Sequence, residues 1–209
     1  MPEIIDNFSQ FFVTLLGSVL SGILYLKSRR QPYFILACFY GCFALAGLYW
    51  MLFTILITDA PPIFYVAEIG WVAGYLFLCL LQESLFLPKE RAFRCRWMWL
   101  APLTILPLTL YYISLGNLVY NLIVGSMMLL IFLRSLRGFV YWSRQTGRSR
   151  NRRLFHLAAI IFVVLENCLW LSSYPWVSDT WSNPYFWIDF AVTASLFSLL
   201  PMVRKAVNP

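Results

Sequence analysis

"LFHLAAIIFVVLENCLWLSS", residues 154–173, is twenty residues long and carries one formal charge, Glu166. A helix of that length rises about 30 Å, the thickness of a bilayer's hydrocarbon core. The stretch predicts a membrane-crossing helix, with a carboxylate and an amide, Glu166 and Asn167, set inside it. Six more apolar stretches of similar length flank it, at about 8–26, 33–58, 63–87, 97–114, 117–136 and 184–203. Composition agrees: 61% of the 209 residues are hydrophobic and only 12% charged, against about 25% charged in a soluble domain. The expected fold is an all-α integral membrane protein, a single seven-transmembrane-helix bundle over 1–209. Glu3 and Asp6 precede the first span, Lys27, Arg29 and Arg30 follow it, and no small-residue cleavage site is present. It therefore reads as a retained helix and not as a signal peptide.

The charges predict how the chain threads. All 16 Lys and Arg fall in the first, third and fifth connectors or in the carboxyl-terminal tail, while the other connectors carry Asp59 and Asp179. Basic connectors stay on the cytoplasmic side, so the amino terminus is expected outside and the carboxyl terminus inside, in the cell membrane. The net charge of +7 is thus a signal of topology before it is one of partners. The connector 134–153 holds seven Arg among Phe139, Tyr141 and Trp142. Lying beside the bilayer, it is expected to meet anionic lipid at about 1 kcal/mol per basic residue, or to dock a cytoplasmic protein, and not to bind nucleic acid.

A weak internal likeness runs through the chain. "LGSVLSGILYLKSRR" (16–30) resembles "VGSMMLLIFLRSLRG" (124–138), and "PIFYVAE" (62–68) resembles "PYFWIDF" (184–190). The second and sixth spans each pair Leu-Ala near one end with a Trp near the other. Spans one to three and five to seven would then form a 3+1+3 parallel repeat with the fourth as the inverting link. Transporters built on parallel repeats place their site at the repeat interface. A preference of outer helix ends for Trp, Tyr and Pro accounts for the same likeness.

Depth brings the acids together. Glu166 lies seven residues from the outer end of its span, and Glu68 and Asp189 lie five residues into spans that start outside. These offsets put all three roughly 8–10 Å below the outer surface. A charged side chain costs about 2.5–3.5 kcal/mol at a helix centre and normally faces the bundle interior or a water-filled cavity. With no Lys or Arg at that depth, the counter-charge is expected from a bound cation, a proton or water. Trp71 and Trp170 are the deepest aromatics of the layer. Acids beside aromatic faces are the chemistry of an organic-cation cage, and the expected ligand-binding set is Glu68, Trp71, Glu166, Asn167, Trp170 and Asp189. Asn167, Asn121 and Gln82 are expected to act as polar glue between helices.

Other chemistry has little footing. The five Cys match neither a disulfide framework nor a zinc site, and Cys38 and Cys42, one turn apart, read as small packing residues. His156 is the single histidine. It excludes bis-His haem and reads as an interfacial residue beside the basic connector. No metal and no cofactor is expected, and no HExxH, GxSxG, CxxC or Walker loop points to an enzyme. Seven spans with an outer amino terminus resemble the architecture of microbial rhodopsins and of seven-helix sugar transporters. The resemblance stops there: residues 184–203 contain no Lys for a retinal Schiff base, and no Pro-Gln loop is present. The expected function is a small transporter for a cationic or aromatic solute. The alternatives are a seven-helix receptor that signals through a cytoplasmic partner, and a subunit of a membrane complex.

Overall fold

The structure is a computed structural model that describes residues 2–57, 66–145, 149–176 and 178–208. Asp59, Tyr65, Arg148 and Pro209 lie outside the described residues. The elements are α1 (Pro2–Ser28), α2 (Gln31–Ile57), α3 (Val66–Leu85), a short α4 (Pro88–Ala92), a 3-10 turn (Arg96–Trp99), α5 (Leu100–Leu115), α6 (Leu118–Ser143), α7 (Ser149–Ser173) and α8 (Pro184–Val207). Seven spans, the 3-10 turn and α5 counted as one, are long and apolar enough to cross a membrane, and the described residues contain no strand. The chain is an all-helical, multi-pass membrane bundle.

Two boundaries differ from expectation. α1 starts at Pro2 and not near residue 8, so Glu3 and Asp6 are helical and not part of a tail. α6 runs on to Ser143 and α7 begins at Ser149, so most of the basic connector 134–153 is helix. Residues 134–143 combine straight-chain and aromatic side chains without Pro, and nothing in them stops the preceding turn from propagating.

The patterning is inverted relative to a soluble protein. On α1 the buried residues are Pro2, Asp6, Thr14, Gly17 and Ser21, while Ile4, Ile5, Phe8, Phe12, Leu16 and Val19 are exposed. Lipid is as apolar as Leu, so large apolar residues lose nothing by facing it. Polar and small residues turn inward, where they find partners and let helices approach. The ring of Tyr40 packs where a side chain on Gly17 would stand, and Phe43 does the same at Gly74.

α1 packs on α2 and α2 on α3; likewise α6 packs on α7 and α7 on α8. The two groups meet through α1 with α8 and α3 with α6, and α5 packs on α6. At the centre, Phe39, Phe43, Tyr75 and Phe162 form a ring cluster with centroids 5.0–6.3 Å apart. The hydroxyl of Tyr40 donates to the Leu196 carbonyl at 2.5 Å and accepts the Leu200 N–H at 3.1 Å. Those two backbone groups would bond each other in an unbroken helix. The hydroxyl is therefore spliced into the α8 ladder next to Pro201, which itself lacks an N–H.

The basic end of the bundle is braced by polar contacts. Glu90 of α4, fully buried, lies in ion-pair range of His156 Nε2 at 2.8 Å and accepts the Trp142 indole N–H at 3.0 Å. His156 is 2% exposed and stacks on Phe86, so its reading as an interfacial residue is corrected. Gly138 makes the site possible, since a Cβ there would run into the His156 ring and the Glu90 carboxylate. Arg134, Arg137 and Arg152 donate to the carbonyls of Cys79, Arg91 and Leu85 at 3.0, 2.9 and 2.8 Å. Glu83 pairs with Arg91 and Arg134. Several arginines of 134–153 thus hold α3, α4, α6 and α7 together.

Candidate functional site

At the opposite end, where α1 begins, lies a cavity of about 510 Å³, within the size range of small-molecule sites. α1 supplies Glu3, Asp6, Asn7 and Gln10; α7 supplies Glu166, Leu169, Trp170 and Ser173; α8 supplies Tyr185, Phe186 and Asp189. Trp50 and Trp71 close one side, with ring centroids 5.7 Å apart. Phe43 and Tyr75 also line it and belong to the central ring cluster, which therefore floors the cavity.

Local chemistry positions each wall. Asn183 caps α8, its side-chain oxygen accepting the Tyr185 N–H at 2.9 Å. Its Nδ2 donates to the Ser178 carbonyl at 2.8 Å and to the Trp176 carbonyl at 3.2 Å, which folds the connector over the helix start. The Glu3 N–H donates to Asp179 Oδ1 at 3.0 Å and pins that connector to the first turn of α1. The carboxylate at the start of α1 also suits the positive end of the helix dipole.

The lining carboxyls are Glu3, Asp6, Glu166, Asp179 and Asp189, and no Lys or Arg is among the described lining residues. Glu166, 4% exposed, lies beside the Tyr75 hydroxyl and the Trp170 indole. Asp189, 5% exposed, accepts from Gln10 Nε2 at 2.8 Å and lies in hydrogen-bonding contact with Asp6. Asp6 is 1% exposed, and its Oδ1 has no hydrogen-bond partner.

Of the expected set, Trp71, Glu166, Trp170 and Asp189 line this cavity. Asn167 does not. It lines a narrow pocket of about 20 Å³ between α5, α6 and α7, with Tyr112, Tyr120 and Glu166, and its amide donates to the Val163 carbonyl at 2.7 Å. Glu68 is buried near Tyr120, outside the described lining of either space. As glue, Gln82 donates to Ile131 O and Ser135 Oγ across the α3–α6 interface. Asn121 closes the α5–α6 turn on the Tyr112 and Gly116 carbonyls.

Sequence reasoning missed Glu3 and Asp6 because they fall before the expected start of the first span near residue 8, and gave Gln10, just inside it, no role. The signal was present: Asp6, Gln10, Thr14, Gly17 and Ser21 recur at helical spacing in an otherwise apolar run. In lipid such a polar stripe marks the face that meets protein.

Among the described residues no group of His, Cys, Asp and Glu could hold a metal ion. Comparison with known protein families, curated proteins and solved structures finds no match to this chain.

Proposed function

We propose that the chain is a small transporter for a cationic or aromatic solute, which enters an outward-facing acidic and aromatic cavity. The observation that carries this reading is the cavity itself: five carboxyls and several indole rings line it, with no basic residue among the described lining. Carboxylates at membrane depth need a counter-charge, and an organic cation supplies one while its apolar body stacks on Trp and Tyr. The confinement of all 16 Lys and Arg to alternate connectors and the tail supports an outer amino terminus, in the cell membrane. The cavity then faces out, and the braced end around Glu90 and His156 faces the cytoplasm. That combination fits an outward-open, inward-closed state. Glu166 lines both the cavity and the narrow pocket behind it, which fits a solute or proton path that continues past this residue.

The packing also supports the 3+1+3 parallel repeat. Pairing α1 with α6, α2 with α7 and α3 with α8 exchanges the α1–α8 interface with the α6–α3 interface, and both are present. α5 then stands apart as the link, and the cavity opens beside the α1–α8 seam.

Counterflow of organic cations in liposomes tests the reading. Wild type is expected to exchange a bound cation, and Glu166→Gln to lose exchange or its pH dependence with expression intact. Binding without counterflow would favour a receptor. Neutral and cationic aromatics handled alike, with no effect of Glu166→Gln, would overturn the cation site.

A further inference from the structure

We propose that Asp6 and Asp189 form the docking point of this cavity for a protonated amine, a ligand with N–H donors and not a quaternary ammonium. The inference rests on the cavity being a cation site and names the class of cation. Its first support is an unmet acceptor. Asp6 lines the cavity, and its Oδ1 is buried and has no hydrogen-bond partner. Buried polar atoms are ordinarily satisfied, and the exceptions need an explanation. An N–H donor of a ligand supplies one; a trimethylated nitrogen does not.

The second support is the pairing. Asp6 and Asp189 come from different helices, α1 and α8, yet their carboxyls touch. Two carboxylates repel unless a proton or a cation lies between them. Gln10 holds Asp189 Oδ1 from one side, and both residues of the pair line the cavity. An ammonium with two or three N–H groups can bridge two carboxylates by charge-assisted hydrogen bonds.

The aromatics argue in the same direction. A quaternary ammonium site is a box of ring faces around the charge. Here Trp50 pairs with Trp71, and Trp170 pairs with Tyr112 and Tyr120. The rings form walls suited to an apolar body, and the charge belongs at the carboxyl pair. Glu3, Glu166 and Asp179 are the other acids facing this space, with Tyr75 and Tyr185 as the titratable phenols. The acids add to the negative field around the docking point.

The test uses the full chain in detergent and three probes: 2-phenylethylammonium, its N,N,N-trimethyl analogue and neutral 2-phenylethanol. Binding is read by tryptophan fluorescence and by titration calorimetry. The amine is expected to bind at least about tenfold tighter than either analogue, because each lacks either the donors or the charge. Asp6→Asn and Asp189→Asn are each expected to weaken amine binding by about tenfold or more, with the unfolding temperature kept. The analogue series needs no variant, so it stands even if one substitution fails to fold. Equal or tighter binding of the trimethyl analogue overturns the N–H inference and leaves the cation cavity standing. Amine binding that survives both Asn variants and is lost in Glu166→Gln moves the docking point and also overturns it. Binding of none of the three, or of the neutral probe as well as the amine, overturns the cavity reading itself.

Discussion

Replacing His156 with Ala should be among the most damaging single changes in the bundle, although the residue lies far from the cavity. Glu90 accepts one hydrogen bond, from the Trp142 indole at 3.0 Å, has the His156 Nε2 in ion-pair range of Oε1 at 2.8 Å, and has no solvent exposure. Removing the ring takes away the ion-pair partner of a buried oxygen that has no hydrogen-bond partner. The vacated volume between Phe86 and Phe155 adds a cavity term. Truncating one partner of a buried pair typically costs about 3–5 kcal/mol in total, and that is the expected loss. Glu90→Gln removes the carboxylate, so the second change should cost less in its presence. A double-mutant cycle is then expected to give a coupling of about 2 kcal/mol or more. Reversible unfolding in mixed micelles, titrated with dodecyl sulfate and followed by circular dichroism, measures both quantities. A loss below about 1 kcal/mol for His156→Ala, or full additivity with Glu90→Gln, would refute this reasoning.

Gly138→Ala puts a methyl group against the His156 ring and the Glu90 carboxylate and should cost about 1–3 kcal/mol in the same assay. Arg152→Gln should lower stability by about 1–2 kcal/mol, because the side chain donates to the Leu85 carbonyl. Arg150→Gln, at an exposed site, should leave stability unchanged and reduce the preference for phosphatidylglycerol over phosphatidylcholine nanodiscs. For topology, a reporter fused after Pro209 should be cytoplasmic, and Ser182→Cys should react with an impermeant maleimide added outside; labelling of position 182 only from the cytoplasm would invert the orientation.

The seven spans were legible because lipid imposes one simple rule: every backbone polar group in the hydrocarbon must be paired within the segment. Length and apolarity alone then locate a helix, as in 154–173. Side-chain partners were less legible, because they depend on which helices meet. Glu166 announced itself by being alone in its span, and Asp189 by its depth. Asp6 was hidden by its place near the amino terminus, and Glu90 by lying in a connector that reads as surface. Nothing local shows that a Gly at 138 leaves room for a His at 156, since eighteen residues and a helix-to-helix turn separate them. The fate of the arginines was also illegible. A run of basic residues looks alike whether it faces lipid headgroups or the carbonyls at the end of α3.

The Tyr40 hydroxyl inserted into α8 has a mechanical consequence for the far end of the molecule. A helix whose Leu196 carbonyl and Leu200 N–H are shared with a side-chain hydroxyl, and which lacks an N–H at Pro201, bends there at lower cost than elsewhere. Asp189 stands eleven residues above Leu200, a lever arm of about 16 Å. A bend of about 10° at the interruption therefore swings the Asp189 carboxyl by about 3 Å, the full reach of a hydrogen bond. The contact between Asp6 and Asp189 and the curvature of α8 become one coordinate. A charge that draws the two carboxyls together would bias the curvature of α8, and a change of curvature would alter how the pair holds it. Bilayer thickness, which sets how a long helix tilts and curves, would then tune occupancy of a site it never touches.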